Sequence, residues 1–280
     1  MKVNQTNQLI KKIYYNLEEF LASNLSCHSN LNLYLNENQA NQQGNEVFKQ
    51  QLELAFSNCL SLLTLTIQIT SNKIGDEGIT FLGSALTKCK SLQILNLHLA
   101  YNNITQQGAQ TLGTALIDVK KLDTLKLYLS FNKIGEQGIK NLSTNFMYYQ
   151  NLQFLTLFIT FNNIGGNGAS ILGFEIGFCK KLKKLELDLS NNNIDVQGAN
   201  GLNSGLMSCL SLVSLTLYLS SNYLNGNGNK YLSLDIQNSR NLIQFDLYLR
   251  ENQIGYDQKQ KLERAVQKIR KLVKKDLQIT

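Results

Sequence analysis

Apolar side chains recur along this chain in two rhythms. In one stretch Leu95, Leu97 and Leu99 alternate with other residues, and Asn102 and Ile104 follow. Alternation at period two predicts a strand with one buried face. Gly108, Leu112 and Leu116 come next, and apolar spacing of four predicts one face of a helix. Leu122 closes the unit, and Leu125 begins the next. Asn72, Asn102, Asn132, Asn162, Asn192, Asn222 and Asn252 mark a period of 30 residues, with Asn38 earlier by 34. Gly follows each Asn before Asn252 by six positions, from Gly44 to Gly228, and its recurrence assigns it the opening of the helix. Helical apolar pairs run from Leu82 and Leu86 to Leu232 and Ile236.

Each unit is therefore read as strand, Asn turn, helix and loop. A single unit cannot bury both its strand face and its helix face, so units must stack and share one continuous core. Strands repeat at about 4.8 Å, whereas packed helices need about 8–10 Å. The mismatch bends the stack. The expectation is an α/β solenoid, a curved horseshoe with parallel strands on the concave side and helices on the convex side.

The series L-x-L-x-x-N-x-I with a following helix resembles the ribonuclease-inhibitor-like class of leucine-rich repeats. The resemblance spans about residues 25 to 280 in eight units. That class usually reads L-x-x-L-x-L-x-x-N; here Leu92, Leu95, Leu97, Leu99 and Asn102 add one strand pair per unit, implying a wider inner sheet. Residues 1–24 are expected to form an N-terminal cap, with an amphipathic helix over 5–22 that buries Leu9, Ile13, Leu17, Phe20 and Leu21. Residues 25–280 are the repeat domain, ending in a short strand with Leu277 and Ile279. Lys275 takes the first inward position of that strand, where earlier units carry Leu or Phe. A lysine on an edge strand discourages further pairing.

Charge and composition narrow the function classes. The formal charge is +7, and residues 256–280 supply most of it, with eight Lys/Arg against three acids. The nearly neutral remainder argues against a nucleic-acid groove along the solenoid. The last helix, Gln258 to Lys271, carries Lys259, Lys261, Arg264, Lys268 and Lys271. It is either a solvated capping face or a docking site for an acidic partner or anionic lipid. No stretch reaches the roughly 20 apolar residues of a transmembrane helix. Met1 to Ile13 lacks a secretory apolar run. A cytoplasmic monomer is expected.

Little points to catalysis, and no cofactor or metal is expected. The two histidines, His28 and His98, fall in different units, and no catalytic or zinc-ligand spacing emerges. Cys59, Cys89, Cys179 and Cys209 share one slot of the repeat, which Val119 and Tyr149 fill elsewhere. They read as small buried hydrophobes. The run Gly165-Gly166-Asn167-Gly168 lacks the Lys-Ser/Thr of a phosphate loop. Glu186 and Asp188 share an outward strand face and read as solvation. The Asn series is assigned to structure, each side chain bonding the turn backbone of its own unit and the next.

The informative surface is the outward face of the strands. Between the second and third strand apolars stand Tyr34, Gln68, His98, Tyr128, Phe158, Asp188, Tyr218 and Tyr248. Just before the Asn stand Tyr101, Phe131 and Phe161. His98, Tyr101, Tyr128, Phe131, Phe158 and Phe161 should form one contiguous patch, which Tyr218 and Tyr248 extend. Aromatics in this setting either bind a partner or stack along the sheet. The leading expectation is a non-enzymatic scaffold that holds a protein or peptide on its concave face. The resemblance leaves two other classes open. One is a regulator of an enzyme, since some members of the class activate the GTPase Ran and others inhibit ribonuclease. The other is a ciliary or cytoskeletal structural subunit.

Overall fold

The computed structural model describes residues 11–35, 45–59, 61–225, 241–269 and 271–279. Asn38, Gly44, Gly228, Leu232 and Ile236 of the repeat series, and Leu9 of the expected cap, lie outside these residues. The strands are β1 (Lys11–Tyr14), β2 (Asn30–Tyr34), β3 (Thr64–Gln68), β4 (Ile94–His98), β5 (Thr124–Tyr128), β6 (Phe154–Phe158), β7 (Lys184–Asp188), β8 (Ser214–Tyr218), β9 (Gln244–Tyr248) and β10 (Lys274–Gln278). They form one ten-stranded sheet in strict sequence order. Every pair is parallel and in register by unit, so Leu65, Leu95 and Leu125 lie side by side. The ladder continues past each strand: the Leu99 N–H donates to the Tyr128 carbonyl at 2.8 Å, and Tyr101 to Ser130 at 3.1 Å.

The helices are α1 (Leu17–Leu21), α2 (Asn45–Asn58), α3 (Gly75–Lys88), α4 (Gln106–Leu116), α5 (Gly135–Ser143), α6 (Gly165–Ile176), α7 (Val196–Leu206) and α8 (Tyr256–Gln267). From α2 to α7 each packs against the next. Strand leucines and helix apolars such as Leu112, Leu142, Leu172 and Leu202 belong to one core cluster that runs through the stack. All polar outward positions are left on the other side of the sheet, which no helix covers among the described residues.

Three expectations change in detail. The first concerns the cap. Residues 11–14 are a strand, paired with β2, and only Leu17–Leu21 is helical. The edge of β2 offers unpaired backbone groups that a helix could not satisfy. Asn16 then caps α1, its side chain accepting from the Glu19 N–H at 2.8 Å, and this sets the helix start. Ile13 therefore points outward and is 42% exposed, while Leu17 and Phe20 are buried as expected.

The second concerns the recurrent glycine. Gly138 and Gly198 lie inside the first turn of their helices without positive φ. A Cβ on Gly138 would stand 2.9 Å from the Gln106 Cα, and one on Gly198 2.3 Å from the Gly166 Cα. The residue is required for close approach of successive helices, rather than for a turn.

The third concerns the asparagines. Each described ladder side chain bonds its own unit and the preceding one. Asn192 Nδ2 donates to the Ile159 carbonyl at 2.9 Å and to Ser190 at 3.0 Å. Its Oδ1 accepts from the N–H groups of Asn162 at 2.9 Å and Ile164 at 3.3 Å. Asn102 and Asn222 repeat this set. The Asn side chain is thus an inter-unit clamp with all its polar capacity used inside the core.

At the far end Lys275 pairs opposite Phe245 and is exposed. Asn192→Leu is expected to keep the apolar volume but strand two N–H groups and a carbonyl. Buried unsatisfied groups cost about 1–3 kcal/mol each, so urea unfolding should show a loss of roughly 3 kcal/mol or more. A loss below about 1 kcal/mol would make the clamp dispensable.

Candidate functional site

The open face carries three outward positions per strand, and the pleat alternates them with the inward leucines. The column at the strand ends is the aromatic one. His98 and Tyr128 stack with ring centroids 4.3 Å apart and planes 10° apart. Tyr128 meets Phe158 edge-on at 5.3 Å. Phe158 reaches past Asp188 to touch Tyr218, edge-on at 6.1 Å. Tyr218 and Tyr248 stack at 4.5 Å and 13°. The Tyr248 hydroxyl donates to Asp276 Oδ2 at 3.0 Å. All five rings are half-buried against one another.

Tyr101, Phe131 and Phe161 form a second ridge. Tyr101 and Phe131 stack at 4.2 Å and 8°, and Phe131 and Phe161 at 4.7 Å and 22°. No ring contact joins this ridge to the first one among the described residues. The expected single patch is therefore two parallel ridges. The second is the more open, with Tyr101 50%, Phe131 39% and Phe161 48% exposed.

The backbone under the second ridge is unusual for aromatic residues. Tyr101, Phe131 and Phe161 have φ of 58°, 57° and 55°. The clamping Asn that follows requires this left-handed turn, and Asn191 and Ser221 take it in later units at 56° and 54°. A left-handed backbone costs an ordinary L-residue roughly 1–2 kcal/mol, which Asn partly avoids. Each stacked ring pair contributes roughly 0.5–1.5 kcal/mol. Three strained positions and two stacked pairs leave these turns no more stable than Asn would.

The ridge ends at a cleft of about 580 Å³ beside the C-terminal ends of β5 to β8. Phe161, Lys133, Asn163, Asn191, Asn193 and Tyr223 line it. Asn193 Nδ2 donates to Asn163 Oδ1 at 2.6 Å, so part of its polar wall is held in place.

Electrostatics differ along the face. Burial, and then the Lys126 ammonium, hold His98 below its ordinary pKa, so it presents a neutral imidazole at neutral pH. Burial first, and then Glu186, raise Tyr128. Towards the C-terminal end the middle outward column holds Glu186, Asp246 and Asp276, with Asp188 beside them. Sequence reasoning read Glu186 and Asp188 as solvation and missed Asp246 and Asp276, although all of them obey the 30-residue register. It also missed Phe174 and Phe178, which meet edge-on at 5.1 Å on the helical side and are 60% and 36% exposed.

His28 and His98 lie apart, on the loop before β2 and on β4. Cys59, Cys89, Cys179 and Cys209 are free and buried, and Cys27 is free and exposed. Burial pushes the Cys89 and Cys179 thiols up to about 12 and those of Cys59 and Cys209 up to about 11. Cys179 Sγ contacts the Phe146 carbonyl of the preceding unit at 3.6 Å, and Cys209 that of Ile176 at 3.4 Å. These thiols fill the core.

The family model described as Leucine Rich repeat matches residues 62–83, 88–113 and 181–202. No curated protein matches the sequence. Among solved structures, the chain is similar to a chain in the crystal structure of a TLR13–ssRNA13 complex, at 20% identity and a TM-score of 0.40. That match covers 83% of this chain and 34% of the other, so this chain spans well under two thirds of its length. The repeat matches and the parallel sheet backed by helices make the fold a leucine-rich-repeat solenoid.

Two outcomes are expected. Phe131→Asn relieves the backbone while losing two ring contacts, so urea unfolding should change by less than about 1 kcal/mol; a loss above about 2 kcal/mol makes the ridge structural. A thiol reagent at about pH 8 should label Cys27 quickly and the other four cysteines only after unfolding; rapid native labelling of Cys179 would contradict its burial.

Proposed function

We propose that this leucine-rich-repeat chain is a non-catalytic scaffold that holds a protein or peptide partner on the open, concave face of its sheet. One observation carries the reading: Tyr101, Phe131 and Phe161 occupy left-handed turn positions in three successive units and stay half exposed. Backbone conformation alone favours Asn there, as at Asn191. Large exposed rings on a rigid frame are interface anchors. They require little ordering when a partner arrives, because stacking and the sheet already fix them. His98, Tyr128, Phe158, Tyr218 and Tyr248 form the second contact line of the same face.

The 30-residue unit with its helical return favours the ribonuclease-inhibitor-like class. Five unpaired cysteines suit a reducing compartment, and we place the chain in the cytoplasm. Among the described residues no helix is long and apolar enough to cross a membrane. The basic helix α8, with Lys261 and Arg264 exposed on it and Lys268 exposed at its C-terminal cap, is a secondary docking surface for an acidic partner.

The test is partner recovery from cytosol, read by mass spectrometry. It compares the intact protein with Tyr101→Asn/Phe131→Asn/Phe161→Asn, which keeps the turns and removes the rings. Anchors of this kind are worth about 2 kcal/mol or more each, so recovery of a true partner should fall at least tenfold. Partners retained by that variant but lost with Lys261→Glu/Arg264→Glu would move the site to α8.

A further inference from the structure

The C-terminal third of the open face differs from the rest in charge. On β7, β9 and β10 the outward carboxylates are Glu186, Asp188, Asp246 and Asp276. Thr216 stands between Glu186 and Asp246 in the same row, and Asp246 and Asp276 are direct neighbours across one strand spacing. None of the four is ion-paired among the described residues, where the pairs are Lys88 with Glu53 and Lys90 with Asp118. The nearest cations by position are Lys184 and Lys274 at the strand starts, Lys126 two strands away and Arg250 beyond β9.

Asp246 is the informative member. It is only 6% exposed. Its Oδ2 accepts from Gln244 Nε2 at 2.6 Å, while its buried Oδ1 has no hydrogen-bond partner. An unpartnered carboxylate oxygen removed from water is costly unless a positive group answers it. Its neighbours do not. Asp276 Oδ2 accepts from Tyr248 and from Gln278 Nε2 at 3.2 Å, and Asp188 Oδ1 from the Ser190 N–H at 2.9 Å. The negative field is visible on the tyrosines. Burial first, and then Asp276, push Tyr248 up to about 12. Burial first, and then all four carboxylates, raise Tyr218.

Aromatic faces complete the arrangement. The stacked Tyr218 and Tyr248 and the edge-on Phe158 border the carboxylates. Ring faces attract organic cations, guanidinium above all, and carboxylates add charge-assisted hydrogen bonds. Among the described residues no three metal-ligating side chains converge closely enough to hold a metal ion, which favours a cation spread over several contacts.

We propose that this end of the open face, formed by Glu186, Asp188, Asp246, Asp276, Tyr218 and Tyr248, receives an Arg- or Lys-bearing segment of a partner protein. The inference rests on the open face being the partner-binding surface, and it adds the chemistry of what is bound there. Glu186, Asp188 and Asp276, all partly exposed, meet the cationic side chains directly. Asp246 supplies charge from beneath, and the rings hold the cation in place.

The probe is a short fluorescein-labelled peptide of alternating Gly and Arg, followed by anisotropy at physiological salt. A chain of net charge +7 repels such a peptide overall, so binding reports a local acidic site. The intact protein should bind it, and should ignore the Gly-Glu counterpart. Asp246→Asn/Asp276→Asn, near-isosteric and checked for an unchanged melting profile, should weaken binding at least about tenfold. Glu186→Gln should weaken it less, and Tyr101→Asn/Phe131→Asn/Phe161→Asn should leave it unchanged. No binding by the intact protein, or equal binding by the carboxamide pair, overturns the proposal. If that happens while the ring variant still loses its partner, only this inference falls. If the peptide binds as described while the ring variant keeps every partner, the ridge reading fails and the acidic end stands.

Discussion

The hydrogen-bonded row of asparagines is the constraint from which the remaining architecture follows. Parallel strands and amphipathic helices can stack in many ways, and apolar burial does not choose among them. The Asn side chain does, because it must find both donors and acceptors inside the core. Asn192 reaches two N–H groups and a carbonyl of the unit before it, which sets the register of one unit on the next. It also dictates the left-handed residue on its N-terminal side in unit after unit. The same interaction that joins the units therefore aims one side chain per unit outward over the sheet edge.

That link between scaffold and surface lets the chemistry of the open face change without changing the fold. The turn position before the Asn holds Tyr101, Phe131 and Phe161 in three units, Asn191 in another and Ser221 after it. Each is fully exposed or half exposed, and none takes part in the clamp. The open face thus divides into segments: rings near β4 to β6, a polar cleft beyond Phe161, and carboxylates framed by tyrosines towards β10.

Much of this was legible in the residues themselves. The 30-residue spacing of Asn, the inward leucines and the helical apolar pairs already point to stacked units of strand and helix. What was not legible depended on contact between units. A recurrent Gly such as Gly138 reads only as the opening of a helix until the Gln106 backbone of the neighbouring helix is seen against it. The apolar face of residues 13–21 suggests one helix, because a sequence pattern cannot weigh the pull of the unpaired β2 edge. Individual aromatics were found, but whether rings touch across 30 residues depends on rotamers, and Phe158 reaches Tyr218 over an intervening strand. Asp246 drew no notice in the sequence, because its burial depends on its neighbours.

The strict sequential order of the strands has a consequence for how the chain is made. Each strand pairs only with its sequence neighbours, so a unit can dock as soon as it leaves the ribosome. At about 5–20 residues per second, a 30-residue unit emerges in about 1.5–6 s. Throughout that interval the newest strand offers a bare ladder of backbone groups with leucines beneath it, the surface most prone to joining another nascent chain. Synthesis thus moves a single sticky edge along the growing molecule, and each arriving unit covers the hazard left by its predecessor.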